Sequence, residues 1–168
     1  GKLVRAEAER LDDVVDEVAC ALKLDAEGYE PAVVRGALKT FMQRPPRVVL
    51  LEYTPGALER AAATGEAEVV ERGPVRYTDF PRMLQNLSRA GYQIWKLNSE
   101  RKHKPFRDGQ EGLELEVDSA AIEAEAVNAA NFVRSYSSAG FQLPVDVHPR
   151  SLRSSFDYNT DLLLLHAT

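Results

Sequence analysis

The ten residues from Ala21 to Glu30, ALKLDAEGYE, restrict the possible folds more than any other part of the chain. An apolar run, Leu22 to Leu24, stops abruptly in Asp25, Glu27 and Gly28. A short buried strand that ends in carboxylates and a glycine is the pattern of a strand leaving the carboxyl edge of an open α/β sheet, where ligands commonly sit. The residues after Glu30 support that placement. Pro31 suits a first helical turn, and Val33, Val34, Ala37, Leu38, Phe41 and Met42 recur at helical spacing. Pro45-Pro46 then breaks the helix, and Val48-Val49-Leu50-Leu51 forms a second continuous apolar strand ending in Glu52. The unit is strand, helix, strand, with an acidic residue at each strand end.

The same alternation continues along the chain. Lys2 to Ala6 reads as a strand, Leu11 to Val15 as a short helical turn, and Pro55 to Ala63 as a helix ending near Gly65. A clearer helix begins near Asp79, a good N-cap, places Phe80, Met83, Leu84, Leu87 and Ala90 on one face, and stops at Gly91. Tyr92 to Leu97 alternates as a strand. Residues 98–155 read as an irregular insert: charged, glycine-bearing loop chemistry from Asn98 to Gly112, then one helix capped by Asp118 or Ser119 with Ile122, Ala126, Ala129, Ala130 and Val133 on a stripe. Leu162 to His166 is the last strand. Strands interleaved with amphipathic helices call for a largely parallel sheet with helices on both faces, which would explain why Val48 to Leu51 and Leu162 to Leu165 lack polar alternation.

Composition narrows the function classes. A chain of 168 residues fits one domain of about 100 to 200 residues. A formal charge of −5, from 26 acidic and 21 basic residues, argues against a general nucleic-acid binder, and Arg101-Lys102-His103-Lys104 reads as a solvated loop. Cys20 is the only cysteine, so it pairs with no other in the chain and reads as small core packing; no metal site is expected from cysteine or histidine spacing. His103, His148 and His166 are scattered, and Tyr92 and Trp95 read as core or edge aromatics. Asn86-Leu87-Ser88 matches a glycosylation acceptor but falls inside a helix with Leu87 turned inward. No apolar stretch approaches the ~20 residues of a membrane span, and no signal-peptide core is visible, which leaves the cytoplasm as the default compartment. Without an initiator methionine, the chain reads as processed or as part of something longer.

The glycines never form GxGxxG or GxGxG, so the glycine-rich cofactor turn of a dinucleotide or nucleoside site is missing. At the same time Leu11-Asp12-Asp13, the string Leu22-Lys23-Leu24-Asp25-Ala26-Glu27-Gly28-Tyr29-Glu30, Val34-Arg35-Gly36-Ala37 and Val49-Leu50-Leu51-Glu52 resemble the FkbM family of S-adenosylmethionine-dependent methyltransferases. The helix and strand around Leu84, Leu87, Gly91 and Tyr92 and the closing Asp161 to Ala167 are similar to the same family. The resemblance covers most of residues 11–97 and the last strand. It implies a single α/β domain over 1–168, a partial Rossmann-like methyltransferase sheet that lacks the amino-terminal cofactor-binding half. Its sheet would be mostly parallel, with a last strand that runs antiparallel beside the strand at Val48. It also implies O-methylation of a hydroxyl on a small molecule or sugar, with S-adenosylmethionine as cofactor although its main binding motif has no counterpart here.

Methyl transfer to a hydroxyl is an in-line displacement in which alignment supplies much of the rate and a positioned base takes the hydroxyl proton. Asp25 is the candidate base, or the group that orients the acceptor. Glu27 shares that role, hydrogen-bonds the substrate, or caps the helix at Pro31, since an acid before a helix is favoured by the helix dipole alone. Gly28 supplies a positive φ or lets the chain pass close to a ligand, and Glu52 lines the site or simply marks where the strand meets water.

Two other classes compete. Asp25 and Glu27 after an apolar strand would also suit a metal-dependent site of the nucleotide-sugar glycosyltransferase kind. A non-catalytic remnant or interaction module would keep the sheet and bind no cofactor. In the truncated-fold reading the strand at Leu22 to Leu24 becomes an exposed edge, through which a homodimer can form, and cofactor binding is weak.

Overall fold

The computed structural model describes residues 7–57, 75–97, 113–138, 156 and 160–167. Its elements are α1 (Leu11–Val14), β1 (Ala21–Leu24), α2 (Glu30–Gly36), α3 (Leu38–Gln43), β2 (Val48–Tyr53), α4 (Asp79–Arg89), β3 (Tyr92–Leu97), β4 (Leu113–Glu116), α5 (Ser119–Ser138) and β5 (Thr160–His166). The expected strand at Lys2 to Ala6 lies outside these residues, as does the expected Pro55 to Ala63 helix beyond its first three positions.

Five strands form one sheet in the order β1-β2-β5-β3-β4. β1 lies parallel to β2, with Leu24 beside Leu51. β5 runs antiparallel to β2 on one side and to β3 on the other, so β1, β2 and β3 all point the same way. The expectation of an antiparallel last strand beside β2 therefore holds, whereas the expectation of a mostly parallel sheet does not. By inserting between two co-directional strands, β5 turns one parallel neighbour pair into two antiparallel ones, and the sheet is mixed. β4, antiparallel to β3, is a further addition in the segment read as irregular.

The two faces of the sheet differ. Leu24, Val49, Leu51, Tyr53, Tyr92, Ile94, Leu162 and Leu164 lie on one face and are all buried. Onto that face come Phe41 of α3 against Tyr92, Phe80 of α4 and Phe156 against Tyr53, and Glu125 of α5 hydrogen-bonded to Tyr53. On the opposite face Val48, Leu50, Glu52, Leu163, Leu165 and Trp95 are only half-buried. The described helices thus gather on one face, and the expected helices on the other face are not seen among the described residues. Strands apolar on both faces reflect one packed face and one partly covered one.

Local chemistry sets the helix ends. The periodic run after Pro31 is two helices rather than one, because Ala37 leaves helical geometry (φ −116°, ψ 17°). The break turns Leu38 and Met42 outward, 51% and 61% exposed, while Val34, Ala37 and Phe41 remain in the core. Thr78, not Asp79, is the N-cap of α4; Asp79 instead accepts the Arg76 amide at 2.8 Å. At α5 the Asp118 carboxylate does cap, accepting the Ala121 amide at 2.8 Å. Of that helix's expected stripe, Ile122 and Ala129 are buried, Ala126 is half-buried and Ala130 is exposed.

Candidate functional site

Parallel pairing of β1 with β2 puts their carboxyl ends side by side, and with them Asp25 and Glu52. Beyond Leu24 the chain turns tightly: the Tyr29 amide donates to the Ala26 carbonyl at 3.0 Å, and Glu27 (φ 50°) and Gly28 (φ 100°) are both left-handed. Gly28 is buried in that conformation, which accounts for the glycine. Glu27 caps nothing; α2 begins at Glu30, and no side chain bonds its first turn from Tyr29. The turn is closed from behind by Glu30, whose Oε1 accepts the amides of Ala26 at 2.8 Å and Gly28 at 3.1 Å.

The turn brings together three carboxylates. One oxygen from each of Asp25, Glu27 and Glu52 lies within 4.8 Å of the others. The Lys23 ammonium donates to Asp25 Oδ2 at 2.7 Å, and this bond together with the Asp25 charge pushes Lys23 above its ordinary value. Glu52 is pushed from 4.5 up to about 7, first by burial, then by its hydrogen bond with Asp25, then by the charges of Asp25, Glu27 and Glu30. Its Oε2 is buried and has no partner among the described residues. On the far side of Glu52, the sheet register places Asp161. Two carboxyls this close favour sharing a proton, which raises the value of one of them. The same spacing would admit a divalent ion, but Lys23 already brings a cation to Asp25, and acidic groups at such spacing assign no metal by themselves.

All four residues singled out in the sequence for this edge, Asp25, Glu27, Gly28 and Glu52, are therefore neighbours. Other expectations fare differently. Cys20 is exposed rather than core packing. Tyr92 is a core aromatic whose hydroxyl donates to the Pro46 carbonyl at 2.9 Å. The indole N–H of Trp95 is buried without a partner among the described residues. His166 packs edge-on against Tyr92 and places Nε2 3.0 Å from the Ala90 carbonyl. Leu87 points inward as expected. Arg101 to Lys104 and His148 lie outside the described residues.

Two functional-looking features are not evident from the sequence pattern. Glu30 is one, although a carboxylate two residues past a turn glycine is a recognisable signal. The other is Glu125, fully buried on α5, whose Oε1 accepts the hydroxyls of Tyr53 at 3.3 Å and Tyr77 at 3.2 Å. Asn128 donates to Glu125 Oε2 at 3.4 Å and to the Tyr77 hydroxyl at 3.1 Å. Burial first, then the Glu125 charge, holds the Tyr53 phenol well above its ordinary range.

The model of the methyltransferase FkbM domain matches residues 1–94, more than half of the chain. No curated protein and no solved structure matches it.

Proposed function

Because the chain belongs to the methyltransferase FkbM domain family, we propose that it serves S-adenosylmethionine-dependent methylation of a hydroxyl on a small molecule or sugar, with Asp25, Glu27 and Glu52 facing the acceptor. The observation that carries the assignment is the meeting of these carboxylates at the carboxyl ends of β1 and β2, on the less covered face of the sheet. Carboxylates at a sheet edge accept hydrogen bonds from hydroxyls and so suit a polyol or sugar acceptor. Asp25 acts as base. Once the Asp25–Glu52 pair has lost its shared proton, Asp25 can take the proton of an acceptor hydroxyl as that oxygen attacks. Lys23 keeps Asp25 in place, Glu27 is exposed and free to orient the acceptor, and Gly28, buried, allows the left-handed turn that presents Glu27.

The cofactor is a different matter. Among the described residues no glycine-rich turn follows a strand, and the backbone amides nearest the carboxylates, those of Ala26 and Gly28, are already bonded to Glu30. These residues do not form a cradle for S-adenosylmethionine, and they fit the acceptor's side of the reaction. Calorimetric titration of the whole chain with S-adenosylhomocysteine tests the reading. Weak but saturable heat is expected, in keeping with the missing glycine-rich turn, and its absence with a folded chain would count against cofactor-dependent methyl transfer.

A further inference from the structure

Glu30 has no exposed surface, and the proposed methyl transfer gives it no part. Its Oε1 holds the amides of the residues on either side of Glu27, while Oε2 is buried and without a partner among the described residues. An amide oxygen would accept the same two N–H groups. Burying a carboxylate instead is unfavourable unless it is paired and hydrogen-bonded, and here only one of its two oxygens has partners among the described residues.

We infer that Glu30 is a positioning residue of the acceptor site and acts on it by shape and by charge; the inference rests on the methyl-transfer reading. By shape, the two hydrogen bonds fix Ala26 and Gly28 and leave Glu27 in the left-handed region, so that its carboxylate meets those of Asp25 and Glu52. By charge, Glu30 adds to the negative field that keeps a proton on the Asp25–Glu52 pair. Among the described residues the other charged groups around Glu52 are Lys23 from β1, Asp25 and Glu27 from the turn after it and Asp161 from β5. Lys23 opposes the acids but is engaged by Asp25, which leaves Glu30 as the buried charge behind the turn.

Two substitutions separate the actions. Glu30→Gln keeps an acceptor for both amides and removes the charge, whereas Glu30→Asp keeps the charge and shortens the reach. The readout is the carbon-13 NMR titration of the Glu52 side-chain carboxyl in the whole chain, assigned by its loss in Glu52→Gln. In Glu30→Gln the midpoint should fall from about 7 by roughly half a pH unit, the effect of one screened charge several ångströms away. In Glu30→Asp it should stay close to its original position, while the Ala26 and Gly28 amides exchange faster. An unmoved midpoint in Glu30→Gln overturns the inference, and so does a Glu30→Gln chain that fails to fold, which would make Glu30 a determinant of the fold and not of the site. The titration needs no cofactor, so its failure is distinguishable from that of the methyl-transfer reading, which the S-adenosylhomocysteine titration decides.

Discussion

Asp12 Oδ1 accepts two hydrogen bonds from Thr40, from the amide at 2.8 Å and from the hydroxyl at 2.9 Å. Its other oxygen takes the Lys39 amide at 2.8 Å. Lys39 and Thr40 lie in the first turn of α3, whose own N-cap, Ala37, has no side chain to offer. Asp12 is thus a cap supplied by a distant part of the chain, and it pins α1 to α3.

Removing that cap should be felt globally. Asp12→Ala is expected to lower the thermal midpoint by a few degrees, measured by circular dichroism, with Asp12→Asn losing less because it keeps an acceptor oxygen. Burial pushes the Asp12 carboxyl up, but the amide hydrogen bonds from Lys39 and Thr40, the Thr40 hydroxyl and the Arg10 charge outweigh it, and the group sits below 3.8. A depressed carboxylate stabilises the fold above its unfolded value and ceases to do so as pH falls through the folded one. The difference between Asp12→Ala and the unsubstituted chain should therefore shrink below the ordinary carboxylate range.

Glu52 has the opposite sign. Its value is raised from 4.5 to about 7, so its contribution to stability is complete below about 4.5 and is lost as pH rises through about 7. Glu52→Gln should abolish that loss. At about pH 8 it should make the chain more stable by roughly 1 kcal/mol, a figure discounted for the solvent screening of a partly exposed group. Denaturant unfolding at several pH values checks this. If the pair supplies the base, methyl transfer should also rise with pH through about 7, and that rise should vanish in the same variant.

Gly91, which ends α4, has φ +97°, and a Cβ there would lie 3.0 Å from His166 Nε2. Gly91→Ala should destabilise by about 1 to 3 kcal/mol in chemical denaturation, from left-handed strain and the displaced histidine together.

The Tyr53, Tyr77 and Glu125 cluster predicts non-additivity. Glu125→Ala leaves the buried Tyr53 hydroxyl without its acceptor and removes one of the Tyr77 hydroxyl's hydrogen bonds; it should cost about 3 kcal/mol or more, whereas Tyr53→Phe removes one donor and should cost about 1 kcal/mol. In the double variant, measured by the same denaturant unfolding, the combined loss should be smaller than the sum of the single losses, because Tyr53 has already lost its reason to need Glu125.

Strands β1, β2, β3 and β5 were legible because each is a short apolar run bounded by turn residues, and the acidic edge was legible because Asp25, Glu27 and Glu52 fall where those runs stop. What was hidden depends on contacts between distant residues. β4 reads Leu-Glu-Leu-Glu within charged sequence and becomes a strand by pairing with β3. Glu125 interrupts the small-residue stripe of α5, and its place in the core makes sense only once Tyr53 and Tyr77 are seen to reach it. The break at Ala37 directly follows Gly36, a signal present in the sequence, but the cap of the next helix comes from the distant Asp12. The half-covered second face could not be inferred from Val48 to Leu51, since a strand that is fully buried and one that is buried on one side can carry the same apolar letters.

The place of β5 has a consequence in time as well as in space. It is the latest described strand along the chain, yet among the described strands it alone pairs with both β2 and β3 and so joins β1–β2 to β3–β4. While the polypeptide is being synthesised, the two halves must wait as separate pieces, with Val49, Leu51 and Ile94 uncovered, until Thr160 to His166 arrives between them. Closing a sheet through its centre with so late a segment is slow and leaves apolar surface open meanwhile, so refolding is expected to be slow and prone to aggregation.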